Sequence, residues 1–146
     1  MEKTNELNKF LSYIHMGMSV YRIYHGVAKK LNDEKLSSLI VEIEEIFKTH
    51  EEKITKLIVE NKEEATDSLT AAGIVAVYRT KMKVFENAYD VVIEAYKATH
   101  MGLLSSLKFL KENRKLPSEV KCRIECVIRD YEKIQNKWIN YMLNEN

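Results

Sequence analysis

One proline and four glycines among 146 residues are too few to punctuate an all-β fold with its many turns. Neither charge sign dominates: 23 Lys and Arg stand against 22 Asp and Glu, a formal net charge of +1. That balance gives no basic footprint for nucleic acid and no acidic tail. No apolar run approaches the roughly 20 residues that span a bilayer, so no membrane partner is expected. The start, Met1-Glu2-Lys3-Thr4-Asn5-Glu6, is polar and acidic, unlike a secretory signal. The expected compartment is the cytoplasm, where the two cysteines stay reduced. A Gly-rich phosphate loop, a His-Glu-x-x-His motif and a nucleophile elbow are all missing.

What remains is helical. Hydrophobic residues make up 45% and charged residues 31%, the composition of one globular domain over 1–146. Leu7, Leu11, Ile14, Met18, Tyr21, His25 and Ala28 recur at steps of four and three, the seam of a bundle helix. Asn32-Asp33 interrupts the rhythm and offers a cap. A second stripe follows through Leu36, Ile40, Ile43, Phe47, His50, Ile54 and Leu57, and so short a loop makes the two helices antiparallel. A second pair runs through Tyr89, Val92, Tyr96, Thr99, Leu103, Ser106 and Leu110. After Leu116-Pro117 it continues through Val120, Ile124, Val127, Tyr131, Ile134, Trp138 and Tyr141. The pairs occupy about 5–61 and 88–143, and each helix of about 25 residues is roughly 40 Å long. Between them, about 62–87, a polar break precedes a helical crossover with its stripe at Ala71, Ile74, Tyr78, Met82 and Phe85.

The halves resemble each other. Ile14-His15-Met16-Gly17 returns as Thr99-His100-Met101-Gly102, 85 residues later. The same shift lays Leu7 on Val92, Leu11 on Tyr96, Met18 on Leu103 and Tyr24 on Phe109. A shift of 84 lays Phe47 on Tyr131 and Ile54 on Trp138. A register shared over both helices indicates duplication of a helix pair.

Two helix pairs joined by a long crossover form the ferritin-like arrangement. Gly17-x-x-x-Tyr21, Asp67-Ser68-Leu69 and Leu116-Pro117-Ser118-Glu119-Val120 further resemble a bacterial ferritin-like family catalogued only as a domain of unknown function. The resemblance covers most of 5–142. It implies an all-α, ferritin-like four-helix bundle and no particular activity. Ferritin-like oxidases hold two irons with a Glu on the first and third helices and Glu-x-x-His on the second and fourth. The corresponding positions here are Met18, Phe47, His50, Leu103, Tyr131 and Ile134, of which only His50 is a usual ligand. A standard di-iron site is not expected.

Three features compete for a functional reading. His15 and His50 could meet at one level of the first pair beside Glu51, giving a two-histidine, one-carboxylate site for zinc or iron. The plainer reading has the histidines, His25 and His50 above all, as buried and hydrogen-bonded. Cys122 and Cys126 form either a soft-metal or redox pair or small apolar contacts to another chain or the crossover. Met16, Val20, Ile23 and Val27, with Tyr13, line the first helix opposite its core stripe. A helix with two apolar faces buries both, here under the crossover helix or under a second subunit. The leading expectation is a non-enzymatic bundle without a cofactor that acts as a homo-oligomer or with a protein partner. The alternative is a metal-binding or oxidative protein with a His-rich site.

Overall fold

The computed structural model describes residues 2–144, with side chains from Glu6 onward. Met1, Glu145 and Asn146, the ends of the 1–146 domain, lie outside that range, as do the side chains of residues 2–5. Among the described residues the chain is all helical: α1 Glu2–Lys30, α2 Glu34–Glu60, α3 Ala71–Met82, α4 Ala88–Glu112 and α5 Ser118–Asn144.

Local chemistry explains where each helix stops. Asn32 takes a left-handed φ of 55°, which Asn tolerates better than most residues. The Asp33 N–H then reaches back to the Ala28 carbonyl. Asp33 itself caps α2, its Oδ1 accepting from the Leu36 N–H at 2.9 Å, so one turn closes one helix and opens the next. Lys62, φ 62°, ends α2 the same way, with the Glu63 N–H on the Ile58 carbonyl. Thr70 caps α3 through the Gly73 N–H. The chain is extended at the Lys83 cap, so the crossover helix does not run on into α4. Asn87 caps α4 through the Asp90 N–H, and the Asp90 carboxylate accepts from the Glu86 N–H.

The four long helices pack as α1 on α2, α2 on α5, α5 on α4 and α4 on α1. Paired residues set the directions. His15 meets Glu51 while His25 meets Glu44, so α1 and α2 are antiparallel. Tyr24 meets Glu94 while Phe10 meets Phe109, so α1 and α4 are antiparallel too. Hence α2 and α4 run parallel, and the connection between them must travel the length of the molecule. It does so along α1. The Asn8 side chain holds its start by donating to the Glu64 carbonyl and accepting from the Thr66 N–H. Its far end is tied by Lys83 to Glu94 at 2.8 Å and by Phe85 edge-on to Tyr24.

The α3 stripe departs from the spacing argument. Ile74, Tyr78 and Met82 of that stripe are 57%, 65% and 66% exposed. The buried positions of α3 are Gly73 and Thr80. A Cβ on Gly73 would sit 3.6 Å from the Met16 sulfur, so small residues let α3 lie close on α1. Close backbone approach decides the orientation, and the bulky side chains are turned outward.

Candidate functional site

The centre of the molecule is aromatic. Phe47 from α2 and Tyr131 from α5 meet with ring centroids 5.7 Å apart, and Tyr21 from α1 lies 5.1 Å from Phe47. Gly17 and Gly102 make room for them. A Cβ on Gly17 would fall 2.9 Å from Phe47 Cε1, and one on Gly102 3.1 Å from Tyr131 Cε2. These two glycines are the ones that the 85-residue repeat superposes, and so are the two rings at a shift of 84.

A polar thread crosses this core. Trp138 Nε1–H donates to the Tyr21 hydroxyl at 2.9 Å, Tyr21 contacts Thr99 Oγ1 at 2.6 Å, and Thr99 donates to the Ala95 carbonyl. Since the Thr99 proton goes to Ala95, Tyr21 donates to Thr99, and the Tyr21, Thr99 and Trp138 polar atoms of this thread are all satisfied. Burial raises the Tyr21 pKa to about 12, against the lowering effect of its bonds to Thr99 and Trp138. Burial likewise pushes Tyr131 and Tyr24 up. These phenols stay protonated, and those of Tyr21 and Tyr24 act as donors. The thread was missed in the sequence, though three core-stripe residues with polar tips were its signal.

Of the six positions that a ferritin-like oxidase would furnish with iron ligands, Phe47, Tyr131 and Ile134 are core, and Met18 and Leu103 pack on it half-buried. His50 is buried but does not join His15. Its Nε2–H donates to Asp130 Oδ2 of α5 at 2.6 Å, and its Nδ1 is a buried acceptor with no partner. Burial lowers the His50 pKa, outweighing the raising effect of Asp130, while Arg123 and Lys53 lower it further. The ring is therefore neutral, with its proton on Nε2.

His15 and Glu51 do come together, at 3.2 Å. The other His15 nitrogen contacts the Thr66 carbonyl at 2.9 Å, so both ring nitrogens are engaged by acceptors. The second pair repeats the contact. His100 Nδ1 accepts from Gln135 Nε2 at 2.9 Å, the same histidine atom in a position related by the repeat. His25, expected in the core, lies at its edge and pairs with Glu44 at 2.9 Å. His15–Glu51 and His50–Asp130 are thus separate pairs. No group of three or more His, Cys, Asp or Glu converges among the described residues.

The cysteines and the second α1 stripe also have definite places. Cys122 and Cys126 are free thiols exposed on the outer face of α5, away from α3, which packs on α1. Val20 is buried and Met16, Ile23 and Val27 are half-buried. Of the two covers left open by the sequence, α3 is the one that lies over Met16 and Val20. Apolar surface then reappears one layer out. Ile74, Tyr78 and Met82 stand at i, i+4 and i+8 along the outer side of α3, beside exposed Val75 and Val84. No helix among the described residues is long and apolar enough to cross a membrane. No family model, curated protein or solved structure matches this chain.

Proposed function

We propose that the protein is a non-enzymatic bundle of ferritin-like arrangement, without a standard di-iron site, that works in the cytoplasm by associating with a second copy of itself through the outer face of α3. The observation that carries this reading is the ridge of Ile74, Tyr78 and Met82, each more than half exposed. Large side chains at i, i+4 and i+8 form a row that packs against its own copy turned about a two-fold axis. Counting on the order of 100 Å² for each of Ile74, Val75, Tyr78, Met82 and Val84, the face offers roughly 500 Å², against roughly 800 Å² per partner in a stable interface. The remainder comes from the polar rim that surrounds any such centre.

The ferritin-like part of the reading is supported by the antiparallel pairs, the parallel course of α2 and α4, and the long connection along α1. Its non-enzymatic part is supported by Phe47, Leu103, Tyr131 and Ile134 where bridging carboxylates and histidines would be needed. Size-exclusion chromatography with light scattering tests it. The wild type should run at twice the chain mass, and Ile74→Glu with Tyr78→Glu should run as a monomer with unchanged far-ultraviolet circular dichroism. A monomeric wild type, or a dimer that survives both charges, overturns it.

A further inference from the structure

Beneath α3, on the side away from the proposed self-association face, lies a cavity of about 450 Å³ between α1, α3 and α4. This is within the roughly 300–1,000 Å³ of small-molecule sites. Small residues are prominent in its walls: Gly17 on α1, Gly73 and Ala76 on α3, Ala98 and Gly102 on α4. Its floor is the Phe47 and Tyr131 rings. Its length follows α1 from Tyr13 to Tyr24, about 16 Å at 1.5 Å per residue.

The two ends differ in chemistry. At the Tyr13 end the walls are Met16 and Met101. At the Tyr24 end stand Arg79, Lys83 and Lys97 with one acid, Glu94. Glu94 is bound to Lys83 at 2.8 Å. Arg79 and Lys97 have no ion-pair partner among the described residues, so this end carries two uncompensated positive charges.

We infer that this slot is a binding site for a single-chain amphipathic anion, a fatty carboxylate of about twelve carbons, whose extended length matches the slot. The alkyl chain lies along Gly17, Gly73 and Gly102 over the two rings, and the carboxylate meets Arg79 and Lys97. An apolar slot with a few convergent polar groups at one end is how such sites fix orientation. The assignment goes beyond self-association and stands whether or not the outer face of α3 pairs with a copy.

Isothermal titration of the whole protein with dodecanoate, dodecan-1-ol and butanoate, each below its aggregation concentration, tests it. Dodecanoate should saturate a single site per chain below about 100 µM. The alcohol, which lacks the charge, should bind about tenfold more weakly, since two exposed cations contribute modestly. Butanoate should not bind in that range. Arg79→Gln with Lys97→Gln should reduce dodecanoate to the level of the alcohol and leave the alcohol unchanged. Ala76→Leu, which fills the slot, should abolish binding of both; Ala98→Leu replaces it if circular dichroism shows that variant unfolded. Failure of dodecanoate to saturate, equal affinity for acid and alcohol, or undiminished binding in the filled slot overturns the assignment.

Discussion

In the α1/α2 pair, Gly17 lies against Phe47 and His15 against Glu51; in the α4/α5 pair, Gly102 lies against Tyr131 and His100 against Gln135. The inner faces of the two pairs are built to one plan. The outer faces are not. The 85-residue shift carries Met16, Val20, Ile23 and Val27 of α1 onto Met101, Ser105, Lys108 and Glu112 of α4. Only the first set is an apolar stripe, and α1 is the helix on which α3 packs. The difference teaches that the second stripe on α1 records a docking partner within the chain. At the equivalent positions α4 carries Ser105, Lys108 and Glu112, which call for no covering helix.

Charge placed on the two outer faces should separate them most sharply. Val20 is 5% exposed, so Val20→Lys buries an unpaired ammonium under α3 and should cost about 3 kcal/mol or more. Its α4 counterpart in kind, Met101→Lys, at a side chain 60% exposed, should change stability by no more than about 0.5 kcal/mol. Urea denaturation of both variants measures the contrast. Similar losses would mean that α4 is covered as α1 is.

The second break lies between His50 and Ile134, the residue that the repeat sets opposite it. Because the folded-state pKa of His50 is lowered, the unfolded chain takes up the proton first as pH falls. The stability associated with the neutral ring is therefore complete above the unfolded pKa of about 6.5 and is lost as pH drops below it. His50→Ile removes that group. At pH 7 the variant should match the wild type within about 1 kcal/mol, because the lost Asp130 bond is offset by removal of the orphaned Nδ1. Between pH 7 and 5 its stability should fall less steeply, as followed by thermal melts. Parallel profiles would place the pH dependence on other groups.

How legible these features were depended on what periodicity can say. Every residue of the α2 and α5 stripes is buried, because a sustained four-three rhythm states both that a face is apolar and that the core is its partner. On α1 the rhythm set His25 in line with Tyr21, yet the ring swings to Glu44 at the edge. A stripe position fixes the Cβ, not where a polar tip finds its bond. On α3 the rhythm of Ile74, Tyr78 and Met82 identified a face but not the side it takes, since Gly73 and Thr80 are the positions buried beneath the helix. Likewise His15 and Glu51 could be paired from their level in the hairpin. Asp130, the partner of His50, sits on a helix whose register to α2 depends on the whole assembled core.

The smallest difference between the pairs is at the glycines themselves. An alanine in a helix interior is favoured over glycine by about 0.5–1 kcal/mol, and both sites would gain this equally. What differs is the ring each new methyl would meet. At Gly17 the Cβ falls 2.9 Å from Phe47 Cε1, and Phe47 is held between Tyr21 and Tyr131, so backbone or ring must shift within a packed core. Overpacking of this kind costs about 1–3 kcal/mol. At Gly102 the distance is the longer 3.1 Å, to Tyr131 Cε2, so a smaller shift of the ring relieves the contact, while both rings border the cavity under α3. Gly17→Ala should therefore lose about 1 kcal/mol net, and Gly102→Ala should be neutral or gain up to about 0.5 kcal/mol. Paired denaturation curves decide it. Equal losses would show that the shorter approach at Gly17 costs nothing extra, whereas the expected ordering would locate the tighter half of an otherwise repeated core.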